Sequence, residues 1–391
     1  MRKHRIAVSV LFFINGFIHA NWASRLPELE SFLGMTHSEL GGLLFVMACG
    51  AITAMPFTGY LSFRFGSHNV CRATAILLGF TAAMIAIQSN LYIEGIILFL
   101  YGLSNGAMDV AMNEQAVLVE REYKKPIMSS FHAFWSVGMA SGAGSGALFS
   151  EFGIPLSTHV MIIAVLGLGI MLWSTGRMIV TEQIETTKKT ASFMLPTRAI
   201  LPLGLIAFCG MLSEGSMIDW SAIYVNEVVG GSEAFSAFAF GVFGAAMTIG
   251  RVFGDYFTQR LGKKRLLVID AVMAISGLSL LLLVPAQWPS ILGLFLVGVG
   301  LSTVVPIVYT TAGNTPGISP SVGIAMATTI GYSGFFVGPP TIGFLGDVYG
   351  LVVGLTFTLM LLVLMMLLIL RQRFQDISEE VETPAERVIA D

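Results

Sequence analysis

Charge is what this chain has least of. Of its 391 residues only 12% are Asp, Glu, Lys or Arg, while 55% are hydrophobic. A soluble domain carries about 25% charged residues, so the solvent that suits this composition is a bilayer. The net charge of −3 and the lack of any basic cluster exclude a nucleic-acid partner. Cysteine is scarce as well. Cys49, Cys71 and Cys209 lie far apart in or beside apolar runs, which excludes a disulfide framework and a cysteine metal site and leaves them as small packing residues. There is no Gly-x-x-x-x-Gly-Lys-Ser/Thr loop, which excludes a self-contained ATP-driven machine. There is no His-Glu-x-x-His and no Gly-x-Ser-x-Gly either, so neither an enzyme nor a metal or cofactor protein is expected.

What is present is a series of long apolar runs. A membrane span needs about 20 residues. Runs of that kind fall at 6–24, 39–62, 70–90, 92–118, 127–150, 155–177, 199–223, 232–257, 265–286, 288–312, 319–345 and 349–371. They show no period-2 alternation, so they read as helices, which satisfy their own backbone groups in lipid. The expectation is an all-α membrane protein with twelve transmembrane helices. Arg2-Lys-His-Arg5 before an apolar run mimics a secretory signal. Asn15, His19, Asn21 and Trp22 interrupt that run and no small-x-small site follows, so it is expected to stay as the first span. With twelve spans, every Lys and Arg except Arg25 and Arg251 falls on the side of the N-terminus. The positive-inside rule then puts both termini in the cytoplasm of a multi-pass protein.

The two halves repeat. Arg64-Phe-Gly66 recurs as Arg260-Leu-Gly262; Gly102 matches Gly298, Gly138 matches Gly334 and Gly142 matches Gly338, all at an offset of 196. Asn21-Trp22-Ala23 recurs as Asp219-Trp220-Ser221, at 198. Six spans per half give both halves one orientation, hence two pseudo-symmetric six-helix bundles about an axis along the membrane normal. The expected domains are 1–178 and 199–371, joined by a polar linker at 179–198 that holds Lys188 and Lys189. The charged tail, 372–391, reads as disordered.

The loop Gly59-Tyr-Leu-Ser62-Phe-Arg64-Phe-Gly66 resembles the signature between spans two and three of the major facilitator superfamily, with Ser62 in place of its acid. The second copy, Gly250-Arg251-x-x-Gly254-Asp255 to Arg260-Leu-Gly262, keeps the acid as Asp255. Asp109-Val-Ala-Met-Asn113, Ser130-Phe-His132-Ala-Phe-Trp135 and Glu214 to Asp219-Trp220 further resemble a bacterial branch of rhizopine-type transport proteins and, more distantly, fucose-type sugar permeases. The resemblance implies secondary transport across the bacterial inner membrane by alternating access. It implies a small-molecule substrate held between the halves, the lipid bilayer as the other partner, a monomer, and a proton gradient rather than a cofactor as energy source. It also implies a cytoplasmic gate of Arg64, Gly66, Arg251, Asp255 and Arg260, in which an Arg251–Asp255 pair stands in for the acid missing at Ser62.

The residues support such a reading on their own chemistry. Asn15, His19 and Trp22 are spaced i, i+4, i+7 on one face of span one, which suits a polar stripe facing a cavity or hydrogen bonds to neighbouring helices. Asn105, Asp109 and Asn113 share a face of span four, while Glu114 lies about 140° round from Asp109. A carboxylate in a lipid-soluble segment costs about 2.5–3.5 kcal/mol on insertion scales, and a transport path is the usual reason to tolerate it. Asp109 and His132 lie at matched depth, where they can relay a proton or form a fixed buried pair. Glu214 and Asp219 of span seven are further candidates for proton coupling. Asn15, His19, Trp22, Asn105, Asn113, Trp135, Glu214, Trp220 and Tyr309 are the candidate cavity lining. Trp22 and Trp220 can stack on a sugar-like ring, form an outer gate, or sit as interfacial anchors. Pro306 removes a backbone donor and predicts a kink in span ten. The mixed lining suits a polar sugar, cyclitol or amine carried by proton symport; proton antiport that exports drugs or metabolites is the alternative.

Overall fold

The computed structural model describes residues 1–35, 37–87, 90–180 and 197–374; most of the linker and the tail, with Lys188, Lys189 and Arg387, lie outside the described residues. Fourteen α-helices and no strand are found among the described residues. In chain order they are α1 (Arg2–Ala23), α2 (Leu26–Leu33), α3 (His37–Phe65), α4 (Ser67–Met84), α5 (Leu91–Tyr123), α6 (Met128–Glu151) and α7 (Leu156–Thr175). Then come α8 (Leu201–Glu227), α9 (Glu233–Leu261), α10 (Lys263–Leu283), α11 (Gln287–Leu301), α12 (Val304–Gly313), α13 (Pro320–Tyr349) and α14 (Leu351–Arg371). Helix α2 has only 8 residues, and α11 and α12 are pieces of one 27-residue span, Gln287–Gly313. The remainder is twelve spans. Among the described residues, nine stretches are long and apolar enough to cross a membrane on length and composition alone. Helices α4 and α6 have the length, but His68, Asn69 and Arg72 in the one and a run of Ser and Gly in the other dilute their apolar character.

The break between α11 and α12 falls at Ser302–Thr303, one turn before Pro306. The missing proline N–H leaves the Ser302 carbonyl without its i+4 donor, so the helix yields there. Large apolar side chains such as Phe80, Val165, Leu166 and Met360 are exposed, while Asn21, Asn113 and Ser213 are buried. That inverts the pattern of a soluble protein and suits a lipid surround.

The described residues within 1–119, 131–180 and 316–326 form one compact unit, and those within 120–130, 197–315 and 327–374 a second. In the first, α1 and α4 both pack on α7. In the second, α11 packs on α9 and α10, and α14 on α8 and α10. Glycine lets backbones touch. A Cβ at Gly138 of α6 would stand 2.1 Å from the Phe13 carbonyl oxygen of α1, and one at Gly334 of α13 would stand 2.5 Å from that of Phe208 of α8. Gly66 and Gly262, the repeat-related turn glycines, hold φ of 83° and 77°, a region cheap only without a Cβ.

Candidate functional site

The first unit gathers most of the predicted polar residues into one hydrogen-bonded wall. Asn15 of α1 is its centre. Its Nδ2 donates to Asn105 Oδ1 of α5 at 2.8 Å, and its Oδ1 accepts from Trp135 Nε1 of α6 at 3.1 Å. Three spans are thereby tied by neutral groups at one level. One turn further along α1, His19 Nδ1 meets the Tyr101 hydroxyl at 3.3 Å. Trp22 packs edge-on against both rings, at 5.5 Å from each. Trp22 is 2% exposed, so it is an internal packing residue and not an interfacial anchor. The helical spacing that put Asn15, His19 and Trp22 on one face is observed, but Tyr101 covers the His19–Trp22 end of that face.

Further along α5, Asn113 stands between the two ionisable groups expected to meet. Its Nδ2 donates to the main-chain oxygen of Asp109 at 2.9 Å and to Asp109 Oδ1 at 3.2 Å. Its Oδ1 faces His132 Nε2 of α6 at 3.2 Å. Asp109 and His132 are joined through an amide. Glu114 and Gln115, on the other side of α5, are buried, and Gln115 bonds Ser67 Oγ and the backbone of Ile179, a structural tie away from the wall.

The second unit holds a charged pair where the first holds amides. Arg251 Nη2 of α9 lies 3.2 Å from Glu214 Oε1 of α8, and both side chains are largely shielded, at 7% and 15% exposure. This corrects the expected gate pairing of Arg251 with Asp255. Asp255 instead accepts the backbone N–H of Ser129 at 2.8 Å and of Ser130 at 3.0 Å. Glu120 accepts those of Ile127 and Met128 at 2.7 and 2.8 Å. The first turn of α6 exposes four N–H groups with no helical partner and carries the positive end of the dipole. Two carboxylates satisfy those donors better than one arginine could satisfy one acid, which leaves Arg251 to the longer reach toward Glu214. Arg121 reinforces the same corner, donating to the Gly313 carbonyl at 2.8 Å and to Asn314 Oδ1.

The remaining predicted residues scatter. Asp219 is exposed, and Trp220 is half-buried against Gly343 of α13. Tyr309 is fully enclosed in α12. Arg64 is exposed and bonded to the Tyr60 hydroxyl at 2.9 Å. Arg260 lies over the Tyr256 ring at 5.4 Å, and Gly66 is a turn glycine that caps α4. Among the described residues no group of His, Cys, Asp and Glu is placed to hold a metal ion.

A match to the family model described as Major Facilitator Superfamily runs over residues 8–339. The chain belongs to the major facilitator superfamily. It is therefore one of a family of transport proteins, not enzymes, and its fold is that family's twelve-helix membrane fold. It is 32% identical over 349 residues to an uncharacterised transporter of the superfamily from Yersinia pestis, covering 89% of this chain and 90% of that one. It is 30% identical over 352 residues to the membrane protein MosC of Rhizobium meliloti, covering 88% and 84%. The solved structure of the Escherichia coli fucose:proton symporter FucP superposes with a TM-score of 0.79 over 94% of this chain and 98% of that one, at 15% identity, a likeness of fold alone.

Sequence reasoning missed several polar residues that this superfamily member uses. Arg25, 4% exposed, donates from Nε to Glu28 Oε1 at 2.7 Å, from Nη2 to the Ile154 carbonyl at 2.8 Å, and meets His159 Nδ1 at 3.1 Å. Arginine has no acceptor, so His159 Nδ1 accepts and Nε2 carries the hydrogen donated to Asn21 Oδ1 at 2.8 Å. The Arg25 hydrogen bonds, aided by Ser150 and opposed by partial burial, hold the Glu28 carboxyl below its ordinary value of 4.5. Asp270 of α10 is also buried and accepts from Thr303 Oγ1 at the α11–α12 break. A lone acid within the leucine-rich run 266–283 was the available signal.

Proposed function

We propose that this superfamily member is a proton-coupled symporter for a small polar solute, sugar-, cyclitol- or amine-like. It works by alternating access in the bacterial inner membrane, as a monomer with both termini in the cytoplasm. The observation that carries this reading is the wall of the first unit. Asn15, Asn105 and Trp135 offer neutral donors and acceptors at one level, and Asp109 and His132 lie beside them on the same two helices. Amides and an indole suit hydroxyls and amines; a carboxylate and an imidazole are the groups that change charge with proton supply. The fold likeness to a fucose:proton symporter agrees with it.

Purified protein in proteoliposomes tests the reading with radiolabelled L-fucose, myo-inositol and glucosamine under pH gradients of each sign. Accumulation driven by acid outside is the expected result. Accumulation only under the opposite gradient would instead establish export by antiport. Asp109→Asn is expected to abolish gradient-driven accumulation while leaving exchange of substrate for substrate. Accumulation at the parent level would remove Asp109 from coupling.

A further inference from the structure

The bridge between Asp109 and His132 has a chemical consequence. The Nδ2 of Asn113 faces two atoms of Asp109, the main-chain oxygen and Oδ1, and both are acceptors. Only the NH2 end of an amide can donate to them, so the orientation of Asn113 is fixed by its partners. Its carbonyl end can only accept, and the atom it meets is His132 Nε2. That nitrogen must carry hydrogen in the neutral ring and in the charged ring alike. Asn113 is 0% exposed, so no solvent competes for either end. Phe12 of α1 stands edge-on to the His132 ring at 5.4 Å. On the ring's own helix, Ser136 bonds the His132 carbonyl. On α5 the Nε2 contact leads through Asn113 to Asp109.

We propose that Asn113 is a positioning residue rather than a substrate ligand, an assignment that rests on the proton-coupled reading above. It pins the proton of neutral His132 to Nε2, so that the ring gains and loses its coupling proton at Nδ1 alone. When the Nδ1 lone pair takes a proton, the imidazolium keeps its Nε2–H bond to Asn113, and release restores the same neutral form. An amide does not titrate near neutral pH, so no proton passes from His132 to Asp109 through this contact. This contact therefore does not make the two groups one proton-sharing pair. A direct acid–imidazole contact would instead let one proton be shared and would hold the ring charged to higher pH.

Nitrogen-15 NMR of the histidine-labelled protein in lipid nanodiscs tests this without substrate or gradient, with His132→Asn used to assign the signal among the six histidines. The parent is expected to show His132 as the Nε2–H form above about ten to one once neutral, with an exchange-protected Nε2–H. Asn113→Leu keeps the size but removes the acceptor, and should lose that protection at least tenfold. Asn113→Asp keeps the acceptor, retains Nε2–H and should hold the ring charged about one to three pH units higher. It serves as the second reading if the leucine variant does not fold. An Nδ1–H form in the parent, equal protection in Asn113→Leu, or no change of titration in Asn113→Asp would each overturn the proposal. The spectrum reads the tautomer whether or not transport is proton-coupled, and the Asp109→Asn assay reads coupling whatever the tautomer, so the two ideas fail separately.

Discussion

Two glycines six residues apart on α6 should respond to the same substitution with opposite signs. A Cβ at Gly138 would stand 2.1 Å from the Phe13 carbonyl oxygen, 2.9 Å from its carbonyl carbon and 3.1 Å from its Cα, all backbone atoms of α1. Ordinary contact begins near 3.4 Å, so α1 and α6 must part by about 1.3 Å (3.4 − 2.1) at this level. A gap of about 0.5–1 Å already forfeits about a quarter to a half of each neighbouring dispersion well, and overpacking of this kind costs about 1–3 kcal/mol. Alanine returns about 0.5–1 kcal/mol through helix propensity. Gly138→Ala is therefore expected to lose up to about 2.5 kcal/mol, in the upper part of the range because the obstructing atoms are backbone. A Cβ at Gly144 meets nothing within 4 Å, so Gly144→Ala should gain about 0.4–1 kcal/mol, mainly from the unfolded chain. At Gly334 the shortest approach is 2.5 Å, to Phe208, and Gly334→Ala should fall between the two. Thermal unfolding in detergent, followed by tryptophan fluorescence, reads the order directly. If Gly138→Ala unfolds no earlier than Gly144→Ala, close backbone contact is not what holds α1 on α6.

The remaining expectations concern charges at helix ends. Asp255→Ala leaves the Ser129 and Ser130 N–H groups without their carboxylate and should cost about 1–3 kcal/mol; Asp255→Asn keeps one acceptor and should cost less, both measured as unfolding midpoints. Glu28 is depressed by Arg25, so its contribution is complete above the ordinary value of 4.5 and fades as pH falls through the lower folded value. Its share of the midpoint, read as the difference between the parent and Glu28→Gln, should therefore hold from neutrality to about pH 5 and shrink below.

The twelve spans were legible because a bilayer imposes one length and one composition on every crossing. The Pro306 break was legible because a missing donor acts on its own helix, whatever surrounds it. The Arg251 partner was not. Arg251 and Asp255 are i, i+4 neighbours in the sequence, but the four bare N–H groups at the start of α6 outbid arginine for Asp255, and nothing in α9 announces them. The Asn113 bridge was hidden for a related reason: the helical period placed Asp109 and Asn113 on one face but could not say which end of the amide points where. That is decided by Asp109's own backbone oxygen. Tyr101 escaped notice because it reads as one more aromatic residue in an apolar run until His19 and Trp22 are seen against it.

The repeat of 196 residues shows which physics a duplicated fold retains. Gly138 and Gly334 each lie against a neighbouring helix's carbonyl oxygen, and Gly66 and Gly262 each take the same left-handed turn. These contacts are made to backbone, which every residue supplies, so either half can change its side chains without losing them. The side-chain sites diverge. Asn21 is buried and accepts from His159, while its counterpart Asp219 is exposed; Trp22 is sealed by Tyr101, while Trp220 is half-buried against a glycine. A hydrogen bond between side chains needs both partners at once, so one substitution removes it and nothing about the fold restores it. Neutral amides in the first unit and a largely shielded Glu214–Arg251 pair in the second are thus two chemistries on one scaffold. A charged pair at that depth is costly to break by removing one partner, about 3–5 kcal/mol. On the transport reading proposed above, a ligand competing for Glu214 or Arg251 would have to bring a matching charge of its own, whereas the amide wall of the first unit could exchange hydrogen bonds with an uncharged solute at little cost.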